Sequence, residues 1–309
     1  MAAATPAVLC IGNAAFDRIH RIAAFPPTPM KVPALDYLEV GGGMAANAAV
    51  AAARLGARVS LWSRVGDDRV GGAIIDELTQ EGIATGGIAV HAGFRSPASS
   101  IIVDQVGERL IVGNRAHVMP SDTTMLSLED VERADVLMGD LRWLEAVTLG
   151  FRHARSIGRP TVLDADLGNH DQLPLLLPLT DYAIFSQPAL QQYTGTTNDV
   201  EGLAKVCAEG VAHAGVTRGS AGYLWSDCEG RSGEQPAFAV DVIDTTGAGD
   251  AFHGAFAFAI AQGMNVEAAA ALASAVSAMK CRALGGRAGL PTLKKARAFL
   301  AQAAPLPTS

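Results

Sequence analysis

The stretch EVGGGMAANAAVAAARLGARVSLWSRVG, residues 39–66, decides how this chain folds. Its three glycines follow a short apolar run and let a ligand or another backbone approach the main chain closely. The Ala-rich residues 44–57 read as a helix that stops near Gly56, where a C-terminal glycine is expected. Residues 58–66 read as a strand. Upstream, AVLCIG (7–12) is also strand-like. Strands joined through a helix predict a parallel, crossover-connected arrangement.

Moving outward, the same rhythm continues. Residues 69–82 read as a helix with a glycine stop. Residues 134–141, 159–166 and 181–186 are apolar runs of strand length, with helical patterns between them, notably at 142–157. The expected fold is a three-layer α/β domain, its mostly parallel central sheet covered by helices on both faces. Two segments break the rhythm. Residues 17–41 are proline-rich and then alternate, and residues 96–114 read as two strands around a turn at Gly107. They predict a small antiparallel sheet, inserted as a lid into a single domain spanning 1–309. A β lid with an apolar face needs cover from substrate or from a second subunit, so a homodimer through the lid is expected. The tail 303–309 reads as frayed.

Composition narrows the function classes. The chain has 309 residues, 49% hydrophobic and 18% charged, with a formal net charge of -7. An acidic, aromatic-poor chain lacks the basic footprint of a nucleic-acid binder. The four cysteines (Cys10, Cys207, Cys228, Cys281) form no Cys-x-x-Cys pair, which argues against a zinc site or disulfide framework and for a reduced, cytoplasmic setting. The first residues have no basic n-region, so no signal peptide is read. No uncharged apolar run has spanning character, so no membrane partner is expected.

A second glycine-rich stretch, DTTGAGDAFHGAFAFAI, starts at Asp244. Its small residues precede a buried-helix pattern. Amides at a helix start have no intrahelical partner, and the helix dipole adds positive character. Such a place suits a phosphate in transfer. The carboxylate of Asp250 admits two local readings, a favourable helix-start charge or a chemical base. Neither a Gly-x-x-x-x-Gly-Lys-Ser/Thr loop nor a Gly-x-Gly-x-x-Gly fingerprint after the first strand occurs. The histidines form no metal-ligand pattern, and His253 reads as a packed helix residue.

Together, GGMAANAAVAAARLGARVSLWSRVG (42–66) and DTTGAGDAFHGAFA (244–257) resemble the ribokinase-like, or PfkB, carbohydrate kinases. The resemblance runs along nearly the whole chain. It implies an ATP- and Mg²⁺-dependent kinase for a sugar hydroxyl, with a β-sheet lid. By position, Asp250 matches the base, and Gly247, Ala248 and Gly249 match the amides that hold developing negative charge. Asp17, Gly42, Gly43 and Asn47 match sugar-contacting positions. Thr217, Gly219 and Gly222 in VTRGSAG match a strand-turn over the nucleotide. Asp244 and Thr246 match positions that line a K⁺ site in some members. One departure stands out: SQPALQQYTG (186–195) carries Ser186 and Ala189 where many members have Asn-x-x-Glu.

Within that family, RVGDD (64–68), GDLRW (139–143), VDVIDTTGAGDAFHGA (240–255) and KCRALGGRAGLP (280–291) resemble the sulfofructose kinases. This implies a ketose substrate with a terminal tetrahedral anion. Lys31, Asn114 and Arg142 are the candidates to hold it, and an Arg fork suits a three-oxygen anion.

Overall fold

The computed structural model describes residues 5–106, 108–114 and 119–302. Thirteen strands are present among them: β1 Ala7–Ile11, β2 Ala15–Arg21, β3 Asp36–Gly42, β4 Arg58–Gly66, β5 Ile88–His91, β6 Ala98–Val103, β7 Arg109–Gly113, β8 Val136–Asp140, β9 Thr161–Ala165, β10 Tyr182–Ser186, β11 His213–Thr217, β12 Tyr223–Asp227 and β13 Ser232–Gln235. The helices are α1 Met44–Arg54, α2 Arg69–Gln80, α3 Leu128–Glu132, α4 Leu144–Ser156, α5 Leu173–Leu176, α6 Gln187–Thr194, α7 Asp199–Ala208, α8 Ala248–Ala261, α9 Val266–Lys280 and α10 Leu293–Gln302. Every strand and helix expected from periodicity is present, with ends shifted by at most three residues.

Nine strands form the central sheet in the order β13-β12-β11-β10-β9-β8-β1-β4-β5. Pairing is parallel from β5 to β11 and antiparallel for β11–β12 and β12–β13. The inner strands β1, β8 and β9 are buried along their whole length, as a sheet covered on both faces requires. In β1, Val8 and Cys10 face a cluster containing α1, α8 and α9, whereas Leu9 and Ile11 face one containing α4. Strand order reverses at β1, which has β8 on one side and β4 on the other. A ligand crevice is expected at the carboxyl ends of such strands.

The lid is a separate four-stranded sheet, β3-β2-β6-β7. The expectation of an antiparallel lid needs correction. The outer pairs β2–β3 and β6–β7 are antiparallel, but the central pair β2–β6 is parallel. The cause is the intervening chain. Helix α1, β4, α2 and β5 carry it through the main sheet, so it re-enters the lid in its original direction. Gly107 and the tail 303–309 lie outside the described residues. Ile19, Ile101 and Val103 of the inner lid face pack with Leu38, Val40 and Leu284, which seats the lid on the loop after α9.

Helices α1 and α8 touch backbone to backbone. A Cβ added at Gly254 would overlap the Ala48 carbonyl. Ala45, Ala48, Ala49 and Ala52 of α1 and Ala251 and Ala255 of α8 are buried in the same cluster. Small side chains bring helix axes together, because interaxial distance follows side-chain size at the contact. That closeness positions the site.

Candidate active site

Helix α8 starts at Ala248 after Gly247, which has a φ of 73° and contributes no side-chain cap. A Cβ at Gly247 would lie 3.0 Å from the Gly286 Cα, so glycine is required there for both conformation and space. Thr246 N donates to Asp244 Oδ1 at 2.8 Å, and Ala248 N donates to the Thr245 carbonyl at 3.1 Å. The N–H groups of Gly247, Gly249 and Asp250 have no hydrogen-bond partner among the described residues. The open amides therefore belong to 247, 249 and 250, and the Ala248 amide closes the turn. A Cβ at Gly249 would meet nothing within 4 Å.

A cavity of about 530 Å³ lies against this helix start. Thr217, Gly219 and Gly222 line it together with Thr245, Ala248 and Gly249, so two distant glycine-rich segments share one space. Gly222, with a φ of 86°, packs so tightly on the Gln235 carbonyl that no side chain fits. Arg109 of the lid strand β7 donates to Thr245 Oγ1 at 2.6 Å, which brings a guanidinium to the same loop.

On the other side of Asp250 lies the lid. Asn47, one turn into α1, donates its Nδ2 to Asp250 Oδ2 at 2.7 Å. Its Oδ1 accepts from Arg287 Nε at 2.8 Å. Arg287 is 2% exposed and also donates to Glu77 Oε1 at 3.0 Å and to the Gly42 carbonyl at 3.2 Å. Glu77 Oε2 in turn accepts from Gly41 N at 2.6 Å. A continuous chain of hydrogen bonds thus runs from the lid strand β3 to Asp250. Asp17 of β2 is buried, and a Cβ at Gly42 would overlap its carboxylate. Gly43, with a φ of 91°, lies so close to the Asn13 carbonyl that a Cβ would sit 2.6 Å from it.

Carboxylates cluster at the strand ends. Asp140 Oδ2 accepts from Asn13 N at 2.8 Å and Ala45 N at 3.1 Å, and its Oδ1 accepts from Arg142 N at 2.8 Å. This one side chain ties the turn after β1, the start of α1 and the end of β8. A Cβ at Gly12 would overlap it. Burial, then the charges of Asp166, Asp140 and Asp17, outweigh the Asn47 bond and push the Asp250 carboxyl up to about 7. Burial pushes Asp17 up to about 6 against the pull of Ser99 and Arg287. Asp164 is raised well above the usual range by burial and then by Asp166, Asp250 and Asp140. Ser186 Oγ donates to Asp166 Oδ1 at 2.6 Å, which fixes that carboxylate beside the others. His253 is buried, with Nδ1 2.7 Å from the Gly249 carbonyl and Nε2 3.2 Å from that of Ile184, as a packed helix histidine should be.

The remaining expected residues divide. Arg142 follows β8, donates Nη2 to the Leu167 carbonyl at 3.0 Å, and pairs with no carboxylate among the described residues. Lys31 lies exposed in the connection between β2 and β3. Asn114 follows β7, exposed, with its N donating to the Ala98 carbonyl at 2.8 Å. Among the described residues, no hydrogen bond or ion pair joins Lys31 to Arg142. Asp244 Oδ2 accepts from Gly285 N at 2.7 Å, and its carbonyl accepts from Lys280 Nζ at 2.8 Å. Sequence reasoning assigned no role to Arg287, Asp140, Asp164, Asp166, Glu77, Arg109 or Lys280. The glycines flanking Arg287 in GGRAG were the available signal for a close backbone approach.

A βαβ sheet with a β lid over a carboxylate at a helix start defines a phosphotransferase of the carbohydrate kinase class, and comparison agrees. The family model of the pfkB family carbohydrate kinases matches residues 5–293, and the chain belongs to that family. It is a sugar kinase. It is 28% identical over 296 residues to the Bacillus subtilis ribokinase, covering 95% of this chain and 99% of that one. With the Vibrio alginolyticus fructokinase it shares 29% identity over 293 residues, 86% of this chain and 93% of that one. The crystal structure of a candidate ribokinase from Agrobacterium tumefaciens superposes with a TM-score of 0.91 at 37% identity, covering 97% of this chain and 98% of that one. No helix among the described residues is long and apolar enough to cross a membrane.

Proposed function

We propose that this kinase transfers the γ-phosphoryl group of ATP to the 1-hydroxyl of 6-deoxy-6-sulfofructose, a ketose with a terminal anion. One observation carries the kinase geometry. Asp250 stands between the cavity lined by Thr217, Gly219 and Gly249 and the lid-side cluster of Asp17, Gly42 and Asn47. Nucleotide on one side and sugar on the other would meet at its carboxylate. The ionised Asp250 takes the hydroxyl proton as the new O–P bond forms and the bond to the β-phosphate oxygen breaks. The open amides of Gly247 and Gly249 hold the negative charge that develops. Asn47, fixed by Arg287, keeps Asp250 aimed.

Mg²⁺ is satisfied by one or two carboxylates together with phosphates and water. Asp166, pinned by Ser186, is the carboxylate suited to its water shell, which compensates for the missing Asn-x-x-Glu. Arg142 supports the terminal anion. Its guanidinium has no ion-pair partner among the described residues and sits at the carboxyl end of β8, beside the order reversal. Lys31 and Asn114 would join it through movement of the lid.

A second reading is a kinase for another sugar: fructose, ribose, fructose 6-phosphate, tagatose 6-phosphate or 2-keto-3-deoxygluconate. The exposed position of Lys31 favours the phosphate- or carboxylate-bearing sugars among these, since one Arg alone admits several anions. A catalytically silent binder fits poorly, because it has no use for a buried carboxyl raised to about 7 beside open helix-start amides. The protein reads as one cytoplasmic domain with the lid inserted. It would pair as a homodimer over the outer lid face, where Tyr37, Leu110 and Val112 are exposed beside a 620 Å³ groove. ADP release measured with sulfofructose, fructose 6-phosphate, fructose and ribose tests the substrate. Sulfofructose should exceed fructose and ribose in kcat/KM by about 10² or more, the discrimination a site built around a charged contact provides. Equal or faster turnover of ribose or fructose refutes the assignment.

A further inference from the structure

Lys280 is the last residue of α9 and is fully buried, with no exposed surface. Lysine is almost never fully buried unless paired. Its ammonium donates to the Asp244 carbonyl at 2.8 Å, directly behind the loop that presents the open amides. The Asp244 carboxylate bridges the same two segments, accepting Thr246 N at 2.8 Å and Gly285 N at 2.7 Å. The amides of Ile243 and Asp244 complete the seam by donating to the Cys281 carbonyl at 2.8 and 3.1 Å. Residues 243–246 are thereby stitched to residues 280–285.

This arrangement conflicts with a monovalent metal ion at Asp244 and Thr246. A metal cation there needs several oxygens turned toward one point. Both Asp244 carboxylate oxygens and its carbonyl already accept N–H donors, one of them a full positive charge. Among the side-chain oxygens of these two residues, Thr246 Oγ1 alone is buried without a hydrogen-bond partner among the described residues. One neutral hydroxyl does not make a coordination sphere. A second cation at the same loop would also be repelled by the buried ammonium.

We infer that Lys280 is a built-in cation that holds the Asp244–Asp250 loop in its phosphoryl-accepting shape, so that the loop needs no monovalent metal ion. Lys280 touches neither substrate nor reacting atoms; it is a positioning residue. The inference rests on reading that loop as the phosphoryl-binding segment, but its tests do not require sugar turnover.

The first test uses the unliganded full-length wild-type protein in KCl, NaCl and choline chloride at equal ionic strength. Its Tm should agree within about 1 °C across the three salts, and its ADP affinity by calorimetry should agree within about twofold. Lys280→Ala in choline chloride should bind ADP at least fivefold more weakly, and ammonium or potassium chloride should restore part of the loss. Lys280→Met, which keeps the volume without the charge, should show the same weakening. A wild-type Tm raised by 3 °C or more in KCl over choline, or wild-type ADP affinity in the Lys280→Met variant, overturns the inference. Should both variants fail to fold, the wild-type salt series decides alone. A lack of sugar phosphorylation would count against the proposed substrate and leave these binding and melting measurements readable.

Discussion

Asn47 of α1 donates to Asp250 of α8 at 2.7 Å although 203 residues separate them in the chain. The contact exists because α1 and α8 are built of alanine and glycine and pack with almost no side chain between them. Helix packing here sets the chemistry: the distance between two backbones decides where the base points.

Gly254 is therefore a position where one methyl group should damage activity from a distance. The methyl of Gly254→Ala would meet the Ala48 carbonyl and push the helices apart. Overpacking costs about 1–3 kcal/mol. A Tm lower by roughly 4 °C is expected for a chain of this size, with kcat reduced at least tenfold and ADP affinity within twofold of wild type. Undiminished kcat would show that the Asn47–Asp250 distance is not set by this contact.

Arg287 should behave as a strut between the lid and the base. Arg287→Met leaves Asn47 Oδ1, Glu77 and the Gly42 carbonyl without their donor. A loss of about 2 kcal/mol in stability follows from such unpaired groups, read as a Tm lower by about 4 °C. The kcat/KM for sugar should fall by about 10² while ADP affinity holds. Arg287→Lys should rescue little, because an ammonium lacks the planar fork that reaches three partners. Full rescue by lysine would reduce the strut to a simple charge.

The pH dependence has a definite sign. Asp250 must be ionised to accept a proton, and its carboxyl is pushed up to about 7. The logarithm of kcat/KM should rise with pH at unit slope and level off above about 7. Stability runs the other way. The raised carboxyl keeps a proton in the folded state that the unfolded chain releases near its ordinary value of 3.8. The stability it contributes is complete below that value and is lost as pH rises through about 7. Asp17, pushed up to about 6, acts in the same direction. Wild-type Tm should fall between pH 5 and 8 more steeply than that of Asp250→Asn. Parallel Tm curves for the two proteins would contradict the assignment.

Arg142 should separate anionic from neutral sugars. Removing one charge-assisted contact costs about 1.5–3 kcal/mol. Arg142→Met should thus lower kcat/KM for sulfofructose by roughly 10–100-fold and leave fructose within about threefold. An equal loss on both sugars would make Arg142 a structural residue of the β8 end.

Much of this was legible in the sequence, for identifiable reasons. Period and length located the parallel strands β1, β4, β8, β9 and β10 but not β5 or β11, because a sheet covered on both faces needs apolar runs such as VLMGD. The polar edge strand SGEQ (232–235) has no such run and gave no signal. The direction of β6 relative to β2 depends on what the intervening chain does, which local alternation does not encode. The glycines of 247–249 stood out in a local helix-start pattern, whereas the roles of Asp250 and Asn47 came from the family resemblance of the two glycine-rich stretches. Arg287 resembled a loop charge and Lys280 an ordinary cation at a helix C-terminus. Each acquires its partner only when segments 36 to 245 positions away close on it.

The most direct measurement is phosphoryl transfer by Asp250→Asn against wild type at pH 8, with ADP affinity determined on both proteins. A base at this position predicts a loss in kcat of about 10² or more with ADP affinity unchanged within twofold. Turnover by Asp250→Asn within threefold of wild type would contradict it.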